Sequence, residues 1–458
     1  MKAPLLAHRR EPYRQVLALA WPITLAMFGE TAIGLVDTKL VSGLGPTALA
    51  AVGVGNSLYM LVFVTVLGFM RAVKVSTSYA VGAGHAASTG RTAEVGAILG
   101  ALMGLAGALV LQGGGVLLPA IGIRHEVVGP ASQFLAVRAL GLPASCAVAA
   151  LLEHRQGLGQ AWGVTATLVM GNVVNAVAAY ALIHGVAGLP ALGVRGAGIG
   201  ASLSDLVQVI IATSWLVWQG ARGLWRRAPF MGVARELAAL GLPTALHFGC
   251  EFLALVAFTS VLGSLAEAEI AANQVAVAIN RTAFLPGIAF GEATCVLVGQ
   301  ALGRGDPAAC RASVRAALVL ALAFMAACAL TFLLLGSVLA DAFSTTPTVR
   351  ATVIRLLRVA ALFQLLDAVD VVMRGALRGA RDVRWAATVG IITLWAFVPT
   401  SAVVLGRWAN MGVLGGWMGF LVATALSAVL FTRRWRRLIL AAEQGGGPPG
   451  ALSPPRQA

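Results

Sequence analysis

Seven carboxylates lie within long apolar stretches of the chain, and they are the residues best suited to chemistry there. They are Glu30, Asp37, Asp205, Glu251, Glu292, Asp367 and Asp370. A carboxylate at the centre of a bilayer costs roughly 2.5–3.5 kcal/mol on insertion scales, so acids without a purpose should be rare at such positions. Acids in this setting bind protons or hard cations such as Na⁺, which prefer oxygen ligands. The sequence therefore predicts cation binding inside a membrane.

The spacing of these acids groups them on helix faces. Glu30 and Asp37 line one face of a helix, while Asp367 and Asp370, one turn apart, share another. Two carboxylates this close repel each other strongly enough that one would keep a proton near neutral pH. If both are ionised, they would instead hold Na⁺ together with hydroxyl, amide and carbonyl oxygens. Both ions stay open on this argument.

Each acid also has a structural alternative, which is a buried ion pair that fixes helix packing. The candidate partners are Arg71, Lys74, His247 one turn before Glu251, Arg281 on the helix face of Glu292, and Arg374 one turn beyond Asp370. Two amides, Asn172 and Asn175, would supply oxygens to the pocket of Asp37. Asn within a membrane helix also forms hydrogen bonds to neighbouring helices, so a purely structural role of these two amides stays open.

The composition indicates which elements position these residues. Hydrophobic residues make up 59% of the chain and charged residues 11%, against roughly 25% charged in a soluble domain. About twelve apolar stretches are each long enough to cross a hydrocarbon core of about 30 Å. They lie near 14–40, 47–72, 93–121, 129–151, 164–184, 193–219, 236–263, 270–301, 312–340, 349–377, 386–406 and 410–432. We expect an all-α integral membrane protein with twelve transmembrane helices, because barrel strands would alternate in polarity.

The second half of the chain repeats the first about 221 residues later, so that Glu30 lies opposite Glu251. A basic connector leaves six spans on each side, which predicts two parallel, pseudo-symmetric six-helix lobes. The predicted organisation is a cytoplasmic segment 1–13, an amino-terminal lobe 14–219, the connector 220–235, a carboxy-terminal lobe 236–437 and a Gly/Pro-rich disordered tail 438–458.

The net charge of +15 is distributed as a topology signal. Most Arg and Lys residues fall in one set of alternate loops, together with both chain ends. This bias predicts a multi-pass protein of the inner membrane with both termini in the cytoplasm, and it requires no nucleic-acid partner.

Several classes of function lack support in the sequence. There is no nucleotide-binding loop, no HExxH and no GxSxG, which argues against ATP hydrolysis, proteolysis and enzymatic function generally. The five cysteines include no CxxC pair, and His247 with Glu251 supplies too few ligands for zinc. We expect no cofactor, and any energy must come from an ion gradient.

Several sequence tracts together resemble the multidrug and toxic compound extrusion (MATE) family, in its bacterial NorM-like branch. The resemblance covers about residues 13–437 and includes the helix-one proline. Its tracts are VDTKLVSGLGPTALAAVG (36–53), RALGLPA (138–144), EAEIAANQVAVAI (267–279), VGQALGRGD (298–306) and FQLLDAVDVVMRGALRGARD (363–382). It implies a two-lobe antiporter that expels organic, often cationic, compounds in exchange for Na⁺ or H⁺.

The resemblance also implies roles for particular residues. Asp37 and Asn175 match the acid and amide of the amino-lobe cation pocket. Glu251 and Asp367 match the carboxy-lobe acids that NorM-like members use for coupling, and a Na⁺ ion would bind these two. Ion coupling is therefore assigned to Glu251, Asp367, Asp370, Asp37 and Asn175, and the substrate cavity to Glu30, Lys74, Asn172, His247, Arg281, Phe363 and Gln364.

The chain departs from the family pattern at several of these positions. Ala179 replaces a second polar residue of helix five, which favours coupling through the carboxy lobe. Phe363 replaces a frequent tyrosine and Asp370 a usual glutamine. Lys74, Arg281 and Glu292 stand where uncharged residues are expected, and embedded cations would make an anionic or zwitterionic substrate possible.

The leading hypothesis is a cation-coupled antiporter that exports small organic compounds by alternating access of its two lobes. The alternative is a flippase or exporter of a lipid-linked or anionic substrate in the same superfamily. The expected partners are the lipid bilayer and a cationic or zwitterionic organic substrate, and the chain is expected to act as a monomer.

Overall fold

The structure, a computed structural model, describes residues 3–120, 122–186, 188–218, 229–343 and 346–444. These residues form fifteen α-helices and no strand. The helices are α1 (Ala3–Ser42), α2 (Pro46–Gly82), α3 (Thr89–Gln112), α4 (Gly114–Ala120), α5 (His125–Leu140), α6 (Leu142–Gly157), α7 (Ala161–His184), α8 (Val194–Trp218), α9 (Phe230–Leu262), α10 (Glu267–Gly303), α11 (Pro307–Leu334), α12 (Gly336–Phe343), α13 (Pro347–Gly379), α14 (Val383–Ser401) and α15 (Val413–Glu443). A π-helical segment, Ala402–Trp408, extends α14. The expected all-α architecture is confirmed.

Ten of the described helices are long and apolar enough to cross a membrane, and the bent pair α5–α6 makes an eleventh candidate. The predicted span near 349–377 corresponds to α13, which is 33 residues long. This helix lies outside the apolar set because it carries the acids Asp367 and Asp370 and five arginines. The chain is a multi-pass membrane protein.

The predicted span 129–151 is not one straight helix. Here α5 and α6 meet at Gly141 with a bend of 47°. Pro143 at the start of α6 has no N–H for a continuous helix, which explains the break. A side chain at Gly141 would overlap Ser202 of α8, so the bend lets α8 pack closely against the corner.

The helix contacts divide the chain into two compact units. The amino-terminal unit runs from Leu25 to Gly249, and the carboxy-terminal unit combines α1 up to Thr24 with the chain from Cys250 onward. Both divisions fall inside a helix, a short distance after Pro22 in α1 and Pro243 in α9. A helix proline removes one backbone hydrogen bond and permits a kink, so a helix can contribute to two units.

The ends of the predicted segments differ from the observed helices. The helix α1 begins at Ala3, inside the predicted segment 1–13, and α15 continues to Glu443, past the predicted boundary at 438. Regularly spaced apolar residues, including Trp435, Leu438 and Ile439, are buried along that last stretch and extend the helix. Most of the predicted connector, residues 219–228, and the tail from 445 lie outside the described residues.

Glycines bring α10 and α13 into close contact within the carboxy-terminal unit. A side chain at Gly375 would overlap the carbonyl oxygen of Gly291, and one at Gly379 would meet the backbone of Cys295. Small residues at a helix interface allow backbones to approach, which is how membrane helices gain packing energy. This contact fixes the position of the acidic face of α13.

Candidate ion-coupling sites

In the amino-terminal unit, α1 and α7 bring Asp37 and Asn175 together. The Asn175 side-chain amide donates hydrogen bonds to both carboxylate oxygens of Asp37, each 3.0 Å long. Asn175 is buried, and its own Oδ1 has no hydrogen-bond partner among the described residues. A carboxylate beside an unsatisfied amide oxygen is a suitable arrangement for a cation.

Four charged groups interact in the carboxy-terminal unit. Asp367, Asp370 and Arg374 follow one another along one side of α13, and Glu251 of α9 lies within electrostatic range of Asp367 and Arg374. The residues expected to form the carboxy-lobe pocket are therefore close together. Their coupling role stays a prediction.

Asp370 is fully engaged by neighbouring groups. Arg374 donates to its Oδ2, and the Ser427 hydroxyl of α15 donates to its Oδ1. The expected pair of Asp370 with Arg374 thus exists, and each oxygen of Asp370 already accepts a hydrogen bond.

Asp367 differs from Asp370 in having a free acceptor. It is 4% exposed, and its Oδ2 has no hydrogen-bond partner in the described part of the chain. One turn earlier, Gln364 donates through Nε2 to Asn280 at 2.9 Å, and its Oε1 is likewise buried without a partner. Two unsatisfied acceptors on one helix face would be stabilised by a bound cation, because buried acceptors without a partner are costly.

The embedded cations have other partners than those expected. Lys74 of α2 is 1% exposed and forms an ion pair of 2.7 Å with Glu153 of α6, and it also donates to Gln156. Arg281 is exposed. The helix α13 supplies the partner of Glu292, since Arg378 binds it at 3.0 Å. Lys74 is thus neutralised within the helix packing.

Asp205 belongs to a second polar cluster of the amino-terminal unit. Arg138 of α5 binds its Oδ2 at 2.7 Å, and the Ser145 hydroxyl donates to the same oxygen at 2.5 Å. Tyr59 of α2 contacts Ser145 at 2.7 Å, and the Arg138 guanidinium lies 4.0 Å from the Tyr59 ring centre. Because the Ser145 proton goes to Asp205, the Tyr59 hydroxyl is the donor to Ser145.

The remaining residues predicted for the substrate cavity have varied surroundings. Glu30 of α1 is exposed. Asn172 of α7 lies beside Gly29 of α1. His247 is 6% exposed, and Phe363 is partly buried. Four of the seven predicted cavity residues belong to the amino-terminal unit and three to the carboxy-terminal unit, and their role in substrate binding stays a prediction.

Sequence reasoning missed several polar residues that the structure buries. Glu153 and Arg155, in the tract LLEHRQG, look like a loop flank but are 6% and 7% exposed. Arg155 lies 4.1 Å from the Trp215 ring centre and donates to Thr167. Ser427, Asn280 and Ser145 carry no sequence signal, because a lone hydroxyl or amide in an apolar helix is common.

Comparison with known sequences identifies the family. The profile of the MatE family matches residues 22–181 and 243–403, which together make up more than half of the chain. A probable multidrug resistance protein NorM from Pseudomonas putida is 30% identical over 455 residues, covering 96% of this chain and 98% of the relative. The multidrug resistance protein NorM from Burkholderia vietnamiensis is 31% identical over 435 residues, covering 91% and 92%.

Solved structures show the same fold. A transporter of the MOP superfamily from Pyrococcus furiosus aligns with a TM-score of 0.85 at 21% identity, covering 94% of this chain and 97% of that one. A eukaryotic MATE transporter aligns with a TM-score of 0.84 at 19% identity, covering 95% and 99%.

Proposed function

Because the chain belongs to the MatE family of multidrug efflux transporters, and to its bacterial NorM-like kind, we propose that it exports small organic compounds in exchange for Na⁺ or H⁺. The observation that carries the ion coupling is the buried, unpartnered Oδ2 of Asp367. A carboxylate oxygen in an apolar interior that no protein donor satisfies supports a site for an exchangeable cation.

The side chains at this site have different roles in binding the cation. Asp367 holds the exchangeable cation, and Gln364 offers a second oxygen one turn away on α13. Glu251 adds negative charge from α9, within electrostatic range of Asp367. Asp370 and Arg374 neutralise each other, so they do not compete with the exchange.

Alternating access supplies the transport cycle. A cationic substrate and the coupling ion are attracted to the same carboxylates, so binding of one favours release of the other. An ion gradient across the membrane then drives export, provided that the carrier changes its access only when one of the two is bound. The chain supplies this binding and exchange through its own side chains and needs no cofactor.

The charge balance favours a cationic or zwitterionic substrate over an anionic one. Lys74 carries its own counter-ion, Glu153, and is 1% exposed, which leaves it unsuited to attract an anion. Arg281 is exposed on α10. Neither Asp37 nor Asp367 forms an ion pair with an arginine among the described residues, which supports binding of a cation at these two carboxyl groups.

We place the protein in the inner membrane as a monomer with both termini in the cytoplasm. The excess of Arg and Lys in one set of alternate loops supports this orientation.

Efflux from proteoliposomes tests the proposal. The purified protein is reconstituted, and export of a fluorescent organic cation is followed under a Na⁺ gradient or a pH gradient applied separately. We expect transport to follow one gradient and to be lost in Glu251→Gln and in Asp367→Asn, because each variant removes a negative charge from the coupling site.

The matched control is Asp341→Asn, since Asp341 is an exposed aspartate that pairs with Arg350 at the surface of the same unit. This variant should transport like the wild type. Transport that ignores both gradients, or that survives equally in Asp367→Asn, would refute the proposal.

A further inference from the structure

The two units can be compared position by position because the same left-handed turns follow corresponding helices. Gly84 follows α2 with φ 81°, and Gly305 follows α10 with φ 71°. Gly159 follows α6 with φ 82°, and Arg381 follows α13 with φ 64°. These turns anchor the register between the repeats.

This register places the two polar clusters at equivalent points. Tyr59 precedes Gly84 by as many residues as Asn280 precedes Gly305, and Ser145 precedes Gly159 by as many as Asp367 precedes Arg381. One further helix contributes to each cluster: α8 carries Asp205, and α15 carries Ser427. The Tyr59–Ser145–Asp205 cluster is therefore the amino-terminal counterpart of the pocket around Asp367.

The counterparts differ at the position of Arg138, although the carboxy-terminal pocket has an arginine of its own, Arg374, which binds Asp370. The position equivalent to Arg138 in the carboxy-terminal unit is Ala360, which is fully buried and carries no charge. In the amino-terminal unit, the Arg138 guanidinium binds Asp205 and lies over Tyr59. The carboxy-terminal pocket instead keeps two unsatisfied oxygens, on Asp367 and Gln364.

We infer that Arg138 is a tethered cation that permanently fills a second, latent ion site, formed by Asp205, Ser145 and Tyr59. An ion can reach Asp205 only if the guanidinium is removed, so the wild-type protein does not exchange an ion there. This inference rests on the proposed function, and it makes the number of ions exchanged per substrate depend on one arginine.

Replacing Arg138 tests the inference through the transport stoichiometry. In proteoliposomes, the substrate gradient that balances a fixed ion gradient gives the number of ions exchanged per substrate. With an ion gradient of about tenfold and no membrane potential, one added ion raises the balancing substrate gradient by about another tenfold. We expect this rise in Arg138→Gln, and none in Arg138→Lys, which keeps the charge.

Two controls separate a latent site from an ordinary broken ion pair. Arg378→Gln also removes the arginine from a buried carboxylate, Glu292, yet it should not change the stoichiometry. Adding Asp205→Asn to Arg138→Gln should restore the wild-type value, because it removes the carboxylate of the latent site.

Asp205→Asn alone provides a second test if Arg138→Gln fails to fold. The inference predicts the wild-type stoichiometry for it, and a lower value would overturn the inference by showing that Asp205 already exchanges an ion. An unchanged stoichiometry in folded Arg138→Gln would also overturn it. Loss of ion-driven transport in the wild type would instead refute the proposed function, so the two failures are distinguishable.

Discussion

The intramembrane acids differ mainly in whether a basic group of the same unit already binds them. Asp370, Asp205, Glu153 and Glu292 each form an ion pair with Arg374, Arg138, Lys74 and Arg378, respectively. Asp37 accepts from an amide, and Asp367 keeps a buried oxygen without a hydrogen-bond partner in the described part of the chain. A paired carboxylate stabilises packing only in its charged, bound form, whereas an unpaired one favours an exchangeable cation.

The ion pair of Lys74 with Glu153 tests whether the paired carboxylates stabilise the fold. In Lys74→Met the charge of Glu153 remains buried without its cation, which should lower the free energy of unfolding by roughly 3–5 kcal/mol. We expect a clear fall in the thermal unfolding midpoint, measured by tryptophan fluorescence of the detergent-solubilised protein.

The double variant Lys74→Met with Glu153→Leu is the control for this prediction. Removing both charges should recover most of the lost stability, because apolar side chains can replace a buried pair with little penalty. A single variant as stable as the wild type would show that the pair contributes nothing to folding.

Part of the site could be predicted from the sequence, and the limit has a physical cause. Arg374 and Asp370 are one turn apart on one helix, so helix geometry alone brings them together. Lys74 and Glu153 lie on different helices, and their pairing depends on how α2 packs against α6. Charge spacing carries no information about that packing, which is why Glu153 was missed.

At the scale of helices, the apolar stretches predicted nearly every membrane span because length and hydropathy decide insertion. Pro143 marks the bend between α5 and α6 in the sequence, because a proline permits a kink. A proline shows where a helix can break, but neither the 47° angle nor the close packing of Gly141 against Ser202 can be read from the sequence. The helix α13 was predicted from its apolar stretch 349–377, although it also carries two acids.

The glycine contact between α10 and α13 can be tested by adding one methyl group. In Gly375→Ala the new Cβ would overlap the carbonyl oxygen of Gly291, so the two helices must separate. Overpacking of this kind costs roughly 1–3 kcal/mol, and the thermal unfolding midpoint should fall accordingly. Efflux should fall too, because α13 carries Asp367.

Gly53→Ala is the matched control, since a Cβ at Gly53 of α2 meets no atom within 4 Å. Its stability should equal or slightly exceed that of the wild type, because alanine favours a helix over glycine. If Gly375→Ala were equally harmless, the close approach of α10 and α13 would not be required for the fold.

At the scale of the whole molecule, the two units of the repeat differ in the side chains at equivalent positions. The carboxy-terminal unit keeps an unsatisfied carboxylate at Asp367, whereas the equivalent residue of the amino-terminal unit is Ser145, whose neighbour Asp205 is bound by Arg138. The amino-terminal unit also has a candidate pocket at Asp37 and Asn175, within electrostatic range of Arg138. The repeat was visible in the sequence, but the difference between the units requires knowledge of which side chains are in contact.

The exchange of a cation for the substrate is the central claim, and reversing the driving force tests it most directly. Proteoliposomes are loaded with a dye sensitive to H⁺ or Na⁺, and a gradient of the organic cation alone is imposed. We predict that substrate flow drives one of these ions in the opposite direction in the wild type and not in Asp367→Asn. Substrate flow with no counter-movement of either ion in the wild type would contradict the account.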